Sequence, residues 1–153
     1  MSMFTSPTEP ADLAAVNSLA TLVDLHLLCV DTLQGFHKMS EKAETEFRPV
    51  VERFCALHAR HAARLDVMVR EMGGVPDADG SFMGTVNRAV ISLRAVFDAI
   101  DTDVMHSVRA GEAKVLAAFD TALQASLPQG HLNALAQMQA ELSAVLDDTR
   151  SLG

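Results

Sequence analysis

Phe54–Gly74 reads FCALHARHAARLDVMVREMGG, and it decides the fold. Steps of three and four extend it upstream into one stripe: Phe47, Val51, Phe54, His58, His61, Leu65, Met68 and Met72. That is the spacing of residues on one helical face, and every member is apolar except the two histidines. Gly73-Gly74 followed by Pro76 is a stop: glycine takes the left-handed position after the last turn, and proline cannot continue the helix.

Downstream, Met105, Val108, Glu112, Val115, Phe119 and Ala122 form a second stripe with one carboxylate in its middle. Upstream, a helix from about Asp12 to about Met39 carries Val16, Leu19, Val23, His26, Val30, Leu33 and His37 on one stripe, and Asp24 and Asp31 on a more polar side. The charged run SEKAE at 40–44 is the expected break. Thr45 is a candidate cap for the next helix, with Pro49 in its first turn. After the glycine stop, Ser81 can cap a shorter helix over 83–100. Asp101 or Asp103 can cap a third long helix reaching about Ala125, and Ser126-Leu127-Pro128 breaks the chain before a last helix at 132–152. The first two long helices, each of about 28 residues or roughly 42 Å, and the short break between them predict an antiparallel hairpin. The expected architecture is therefore an all-α four-helix bundle with an additional short helix in the crossover between the second and third long helices. Residues 1–10 read as a flexible arm and 11–153 as one domain.

The 153 residues contain no Trp, no Tyr and 7 Phe, while 49% are hydrophobic, which suits helix packed on helix. A formal charge of −8 and a pI near 5.1, with no basic patch interleaved with aromatics, argue against nucleic acid as a partner. The start, MSMFTSPTEP, lacks the pattern of a signal peptide, and the most apolar stretch, 19–33, is interrupted by Asp24, His26 and Asp31. The expected setting is cytoplasmic, with no membrane partner. Cys29 and Cys55 have no zinc-type spacing and read as small buried thiols.

Ionisable residues on apolar seams are where function could reside. Imidazole and carboxylate ligands on facing helices are what iron, manganese or zinc take in bundles, so His58, His61, Glu112, His37 and Asp31 are candidate metal ligands, with His26 a further one. The alternative is a satisfied polar pair, His58 donating to Glu112, with no metal. Glu141 lies near the seam of the last helix without a histidine three or four residues away. No GxSxG, P-loop, dinucleotide fingerprint or HExxH is present, and no catalytic residue is assigned. The first helix has a second apolar face, Leu22, Leu25, Cys29 and Phe36, which predicts either a homo-oligomer interface there or cover by the 83–100 helix.

REMGGVPDADGSFMGTVNRAVISLRA (70–95) and RAGEAKVLAAFDTAL (109–123) resemble a bacterial family of ferritin-like four-helix-bundle proteins of unknown function, the likeness running from about Leu19 to Leu152. The GGxPxxxGS turn with its following short helix and the Gly111-Glu112 pair carry it. The resemblance implies a ferritin-like bundle. In the wider ferritin-like group, two helices each give a carboxylate and two each give an ExxH pair to two metals. Glu112 would stand for one carboxylate and Asp31 or Asp24 for another. The second helix reads HARH in place of ExxH, and Glu141 is followed by Ala144. Three functional expectations follow: a non-enzymatic, self-associating bundle with a buried His–Glu network; a metal-binding redox or storage-type protein with a degenerate site; and small-molecule binding in the bundle core.

Overall fold

The computed structural model describes residues 10–75 and 104–152, with side chains for 17–75 and 104–151. Four α-helices and no strand of a sheet occur among these residues: α1 (Pro10–Lys42), α2 (Arg48–Glu71), α3 (Met105–Leu123) and α4 (Gln129–Asp148), followed by a 3-10 turn, Arg150–Leu152. The expected short helix at 83–100, the caps at Ser81, Asp101 and Asp103, and residues 1–9 of the expected arm at 1–10 lie outside the described residues; Pro10, expected as the end of that arm, is the first residue of α1.

Several helix boundaries differ from the sequence expectation. α1 does not stop at Met39 but runs through Lys42, because Ser-Glu-Lys is charged yet made mostly of good helix formers. The first two helices are accordingly unequal, at 33 and 24 residues. Thr45 does not cap α2. Phe47 occupies the N-cap without a side-chain bond, Pro49 sits in the first turn, and Arg48 reaches back to the Ala43 carbonyl at 3.1 Å. α4 begins at Gln129, three residues before the expected start, because Pro128 takes an extended N-cap conformation that launches the helix directly.

The end of α2 follows the glycine reading closely. Gly73 has φ +83°, its N–H donates to Arg70 O at 3.0 Å, and the Gly74 N–H donates to Val69 O at 2.9 Å. These two bonds form a Schellman motif, which satisfies carbonyls that the helix end would otherwise leave open.

Cross-bundle pairs set the helix directions. Phe36 stacks on Phe54 with ring centres 5.0 Å apart, and His26 feels the charge of Asp66, so α1 and α2 run antiparallel. Gln139 donates to Asp120, and Arg109 donates to the Thr149 and Arg150 carbonyls, which makes α3 and α4 antiparallel. Arg53–Asp148 and His131–Glu71 do the same for α2 and α4. α2 and α3 therefore run parallel, so the end of one and the start of the other lie at opposite ends of the bundle. Around the bundle the helices follow the order α1, α2, α4, α3.

The stripes of α2 and α3 face the core as their periodicity predicts, with Met72 alone half-buried. On α1 the two apolar faces exchange places. Leu22, Leu25, Cys29 and Phe36, expected as a surplus face for a second subunit or for cover by the 83–100 helix, are buried in the core of the chain itself. Leu19, Val23, Val30 and Leu33 are only half-buried, and His37 is exposed. Both faces of α1 are apolar at helical spacing, so periodicity cannot choose between them; the aromatic partners on α2 do. By length and composition alone, Asn17–Lys42 could cross a membrane, but the core helix of a bundle meets the same test, and the Leu22–Phe36 face packs inward.

Candidate functional site: two histidine–glutamate pairs in the bundle core

α2 places His58 and His61 one turn apart on its buried face, and both rings are cut off from solvent. Phe36 lies nearly parallel to the His58 ring at 5.6 Å, and Phe119 meets the His61 ring edge-on at 6.0 Å. These contacts fix the rings and direct each Nε2 at a different helix. His58 Nε2 lies 2.9 Å and 3.1 Å from the two carboxylate oxygens of Glu112 on α3. His61 Nε2 lies 3.0 Å from Glu141 Oε1 on α4. A carboxylate can only accept, so in both pairs the Nε2–H donates. Glu112 is buried, whereas the Glu141 side chain is 37% exposed at the bundle surface.

The opposite ring nitrogens have no such provision. His58 Nδ1 and His61 Nδ1 are both buried and without a hydrogen-bond partner. With the proton on Nε2, each Nδ1 is a bare lone pair, the less costly orphan; a proton there would be a buried donor with no acceptor. Burial pulls His61 below the ordinary imidazole value, against the raising pull of its hydrogen bond to Glu141, and the neighbouring His58 adds to the lowering. Cys29 also belongs to this region. Burial, with the nearby Glu112 carboxylate adding to it, pushes its thiol up to about 12, so it stays protonated.

The structure thus brings together three of the five candidate ligands, His58, His61 and Glu112, and adds Glu141. His37 points to solvent, and Asp31, whose carboxyl is raised by burial, makes no bond to the histidine–glutamate pairs. His26 is buried on α1 with its Nδ1 unpartnered, and burial lowers its pKa. Glu141 was legible only as a carboxylate near a seam; its pairing with His61, 80 residues away, depends on how α4 aligns with α2. Among the described residues, no three His, Cys, Asp or Glu are grouped so as to hold a metal ion. A shallow cleft of about 220 Å³ lies elsewhere, between α1 and the α3–α4 turn, lined by Asn17, Ser18, Thr21, Thr121 and Gln124; Ser18 accepts the Ser126 N–H there at 3.0 Å.

Residues 17–125 match the model of a protein family described as "Domain of unknown function (DUF2383)". The chain belongs to this family. The matched span takes in α2, α3 and most of α1, and with them His58, His61 and Glu112; Glu141 lies beyond it, so the second pair reaches outside the DUF2383 match. The comparison with curated proteins matches nothing, and neither does that with solved structures.

Proposed function

We propose that this DUF2383 protein is a ferritin-like, non-catalytic helical scaffold of the cytoplasm that works by self-association, its His–Glu pairs fixing the alignment of the helices. Ferritin-like bundles have two antiparallel hairpins joined by one long crossover, and the parallel course of α2 and α3 supports that placement. A metal is what such a fold would lead one to expect. Each histidine instead gives its Nε2–H to a glutamate, His58 to Glu112 and His61 to Glu141, so both carboxylates are already engaged, and among the described residues no three His, Cys, Asp or Glu are grouped so as to hold a metal ion. This pairing is the single observation that carries the structural reading.

The second reading is a site for iron, manganese or zinc, and it draws on the convergence of His58, His61, Glu112 and Glu141 from three helices. A metal there would take the unpartnered Nδ1 lone pairs, with the glutamates orienting the rings through Nε2. Elemental mass spectrometry on protein purified without a histidine tag, as isolated and after reconstitution with ferrous iron, separates the two. The expected result is no stoichiometric metal, with His58→Ala and Glu112→Ala lowering stability instead. Near-stoichiometric metal lost in both variants would overturn the scaffold reading.

A further inference from the structure

α1 is covered on the side turned away from the bundle. Its neighbours around the bundle are α2 and α3, and a helix with two neighbours normally shows an outward arc to water. α2, α3 and α4 all do: none runs more than three residues without an exposed one. α1 has no exposed residue from 25 to 36, which is about three turns. At about 100° per residue, Leu27, Asp31 and Gln34 point away from Leu25, Cys29 and Phe36, the residues that enter the core. Leu27 and Gln34 are half-buried all the same, and one Asp31 carboxylate oxygen is shut off from water without a hydrogen bond.

The chain has a segment to cover this side. Residues 76–103, outside the described residues, join the end of α2 to the start of α3 at the opposite end of the bundle. They have to travel roughly 36 Å, the length of the 24-residue α2. The core is filled, so their path lies over an outer face. Ala59 and Ala63 on α2, Ala113 and Ala117 on α3, and Ala140 and Ala144 on α4 are all exposed, which leaves α1. Gly74 gives the direction of departure. A Cβ there would lie 2.8 Å from Leu19 Cδ1, so the chain leaves α2 against the N-terminal half of α1.

We propose that the outward face of α1 is a docking surface for the chain's own segment 82–100, which lies along Val23, Leu27 and Val30 as a helix parallel to α1. Phe82, Val86, Val90, Leu93, Phe97 and Ile100 recur at steps of four and three, the spacing of one helical face, and this stripe is what turns onto α1. A helix over 82–100 spans about 28 Å, so the residues on either side of it have only about 8 Å left to bridge. The face that gives Asn17–Lys42 its membrane-like hydropathy is then closed within the chain. Self-association has to use a different surface.

The test uses the full chain with one cysteine added on α1, each variant shown to be folded by circular dichroism. Leu27→Cys lies under the cover, and Asp24→Cys replaces an exposed residue at its edge. Both are labelled with a maleimide in the folded protein, and the sites are mapped by mass spectrometry. Leu27→Cys is expected to react about tenfold or more slowly than Asp24→Cys, at a rate independent of protein concentration. Equal rates would mean that the face is open and would overturn the proposal. A Leu27→Cys rate that falls as concentration rises would assign the cover to a second copy and overturn it too. A benzophenone carried on Asp24→Cys then identifies the cover without disturbing it. Photolysis of mixed heavy- and light-isotope chains is expected to give cross-links to 82–100 of the same chain. Cross-links to that segment only between heavy and light chains, or none to it at all, would count against the proposal.

Discussion

His58 and His61 stand one helical turn apart with their rings at 88° and 6.4 Å between centres, and each gives its Nε2 to a glutamate on a different helix. α2 is thereby tied to α3 and to α4 by polar contacts inside an otherwise apolar core. Such contacts are directional where apolar packing is not, so they penalise a helix that slides by a turn.

Removing one member of the inner pair should cost more than removing both. His58→Ala leaves the buried Glu112 carboxylate without its donor, and a loss of about 3–5 kcal/mol is expected in urea or guanidinium unfolding. The double replacement His58→Phe with Glu112→Leu leaves nothing unpaired and should recover most of that loss. A double variant as unstable as the sum of the single ones would show that the pair is not coupled.

Acidification should destabilise the bundle through His61. Its folded pKa lies below the ordinary 6.5, so below that pH the unfolded chain binds more protons than the folded one. The contribution of neutral His61 is complete above about pH 6.5 and is lost as pH falls toward the folded value. His26, also lowered by burial, adds in the same direction. Asp31 is raised by burial, so its ionisation opposes folding and it works the other way at lower pH. Melting temperatures followed from pH 8 to pH 5 should fall, and His61→Phe should flatten that slope, since Glu141 left alone is open to water.

The turn at the end of α2 should distinguish its two glycines. Gly73 has φ +83° and open space beside it, so Gly73→Ala pays only for the left-handed backbone, about 1–2 kcal/mol. At Gly74 an added Cβ would lie 2.8 Å from Leu19 Cδ1 and 3.1 Å from Val69 Cγ1. Gly74→Ala is therefore expected to lower the melting temperature because Leu19 must move, and the penalty should shrink in a Leu19→Ala background. An equal penalty in both backgrounds would place the strain elsewhere.

Cys29 should be silent toward thiol reagents in the folded protein. It is buried, with its pKa pushed up to about 12, and the thiolate is the reactive form. Labelling of the native chain near pH 8, mapped by mass spectrometry, should leave Cys29 unmodified until denaturant is added. Rapid native labelling of Cys29 would mean that α1 opens from the core far more often than its packing implies.

The sequence by itself determined the helical class, the seams of α2 and α3, the glycine stop at Gly73 and the presence of ionisable groups on those seams. Each follows from local causes: a single apolar stripe at helical spacing, or a backbone conformation that glycine adopts without strain. The tertiary structure decided the rest. α1 carries apolar residues on two faces, and only the packing of Phe36 on Phe54 and His58 settles which face enters the core. Glu112 and Glu141 are separated from their histidines by 54 and 80 residues, so their partners depend on the relative alignment of whole helices. By sequence, His37 on an apolar stripe of α1 and Asp31 on its more polar side are candidate ligands beside His58, yet the rotation of α1 about its axis keeps both out of the His–Glu pairs. Periodicity tells which residues share a face; what that face meets is fixed only when four helices pack at once, because burial and pairing are properties of the assembled core.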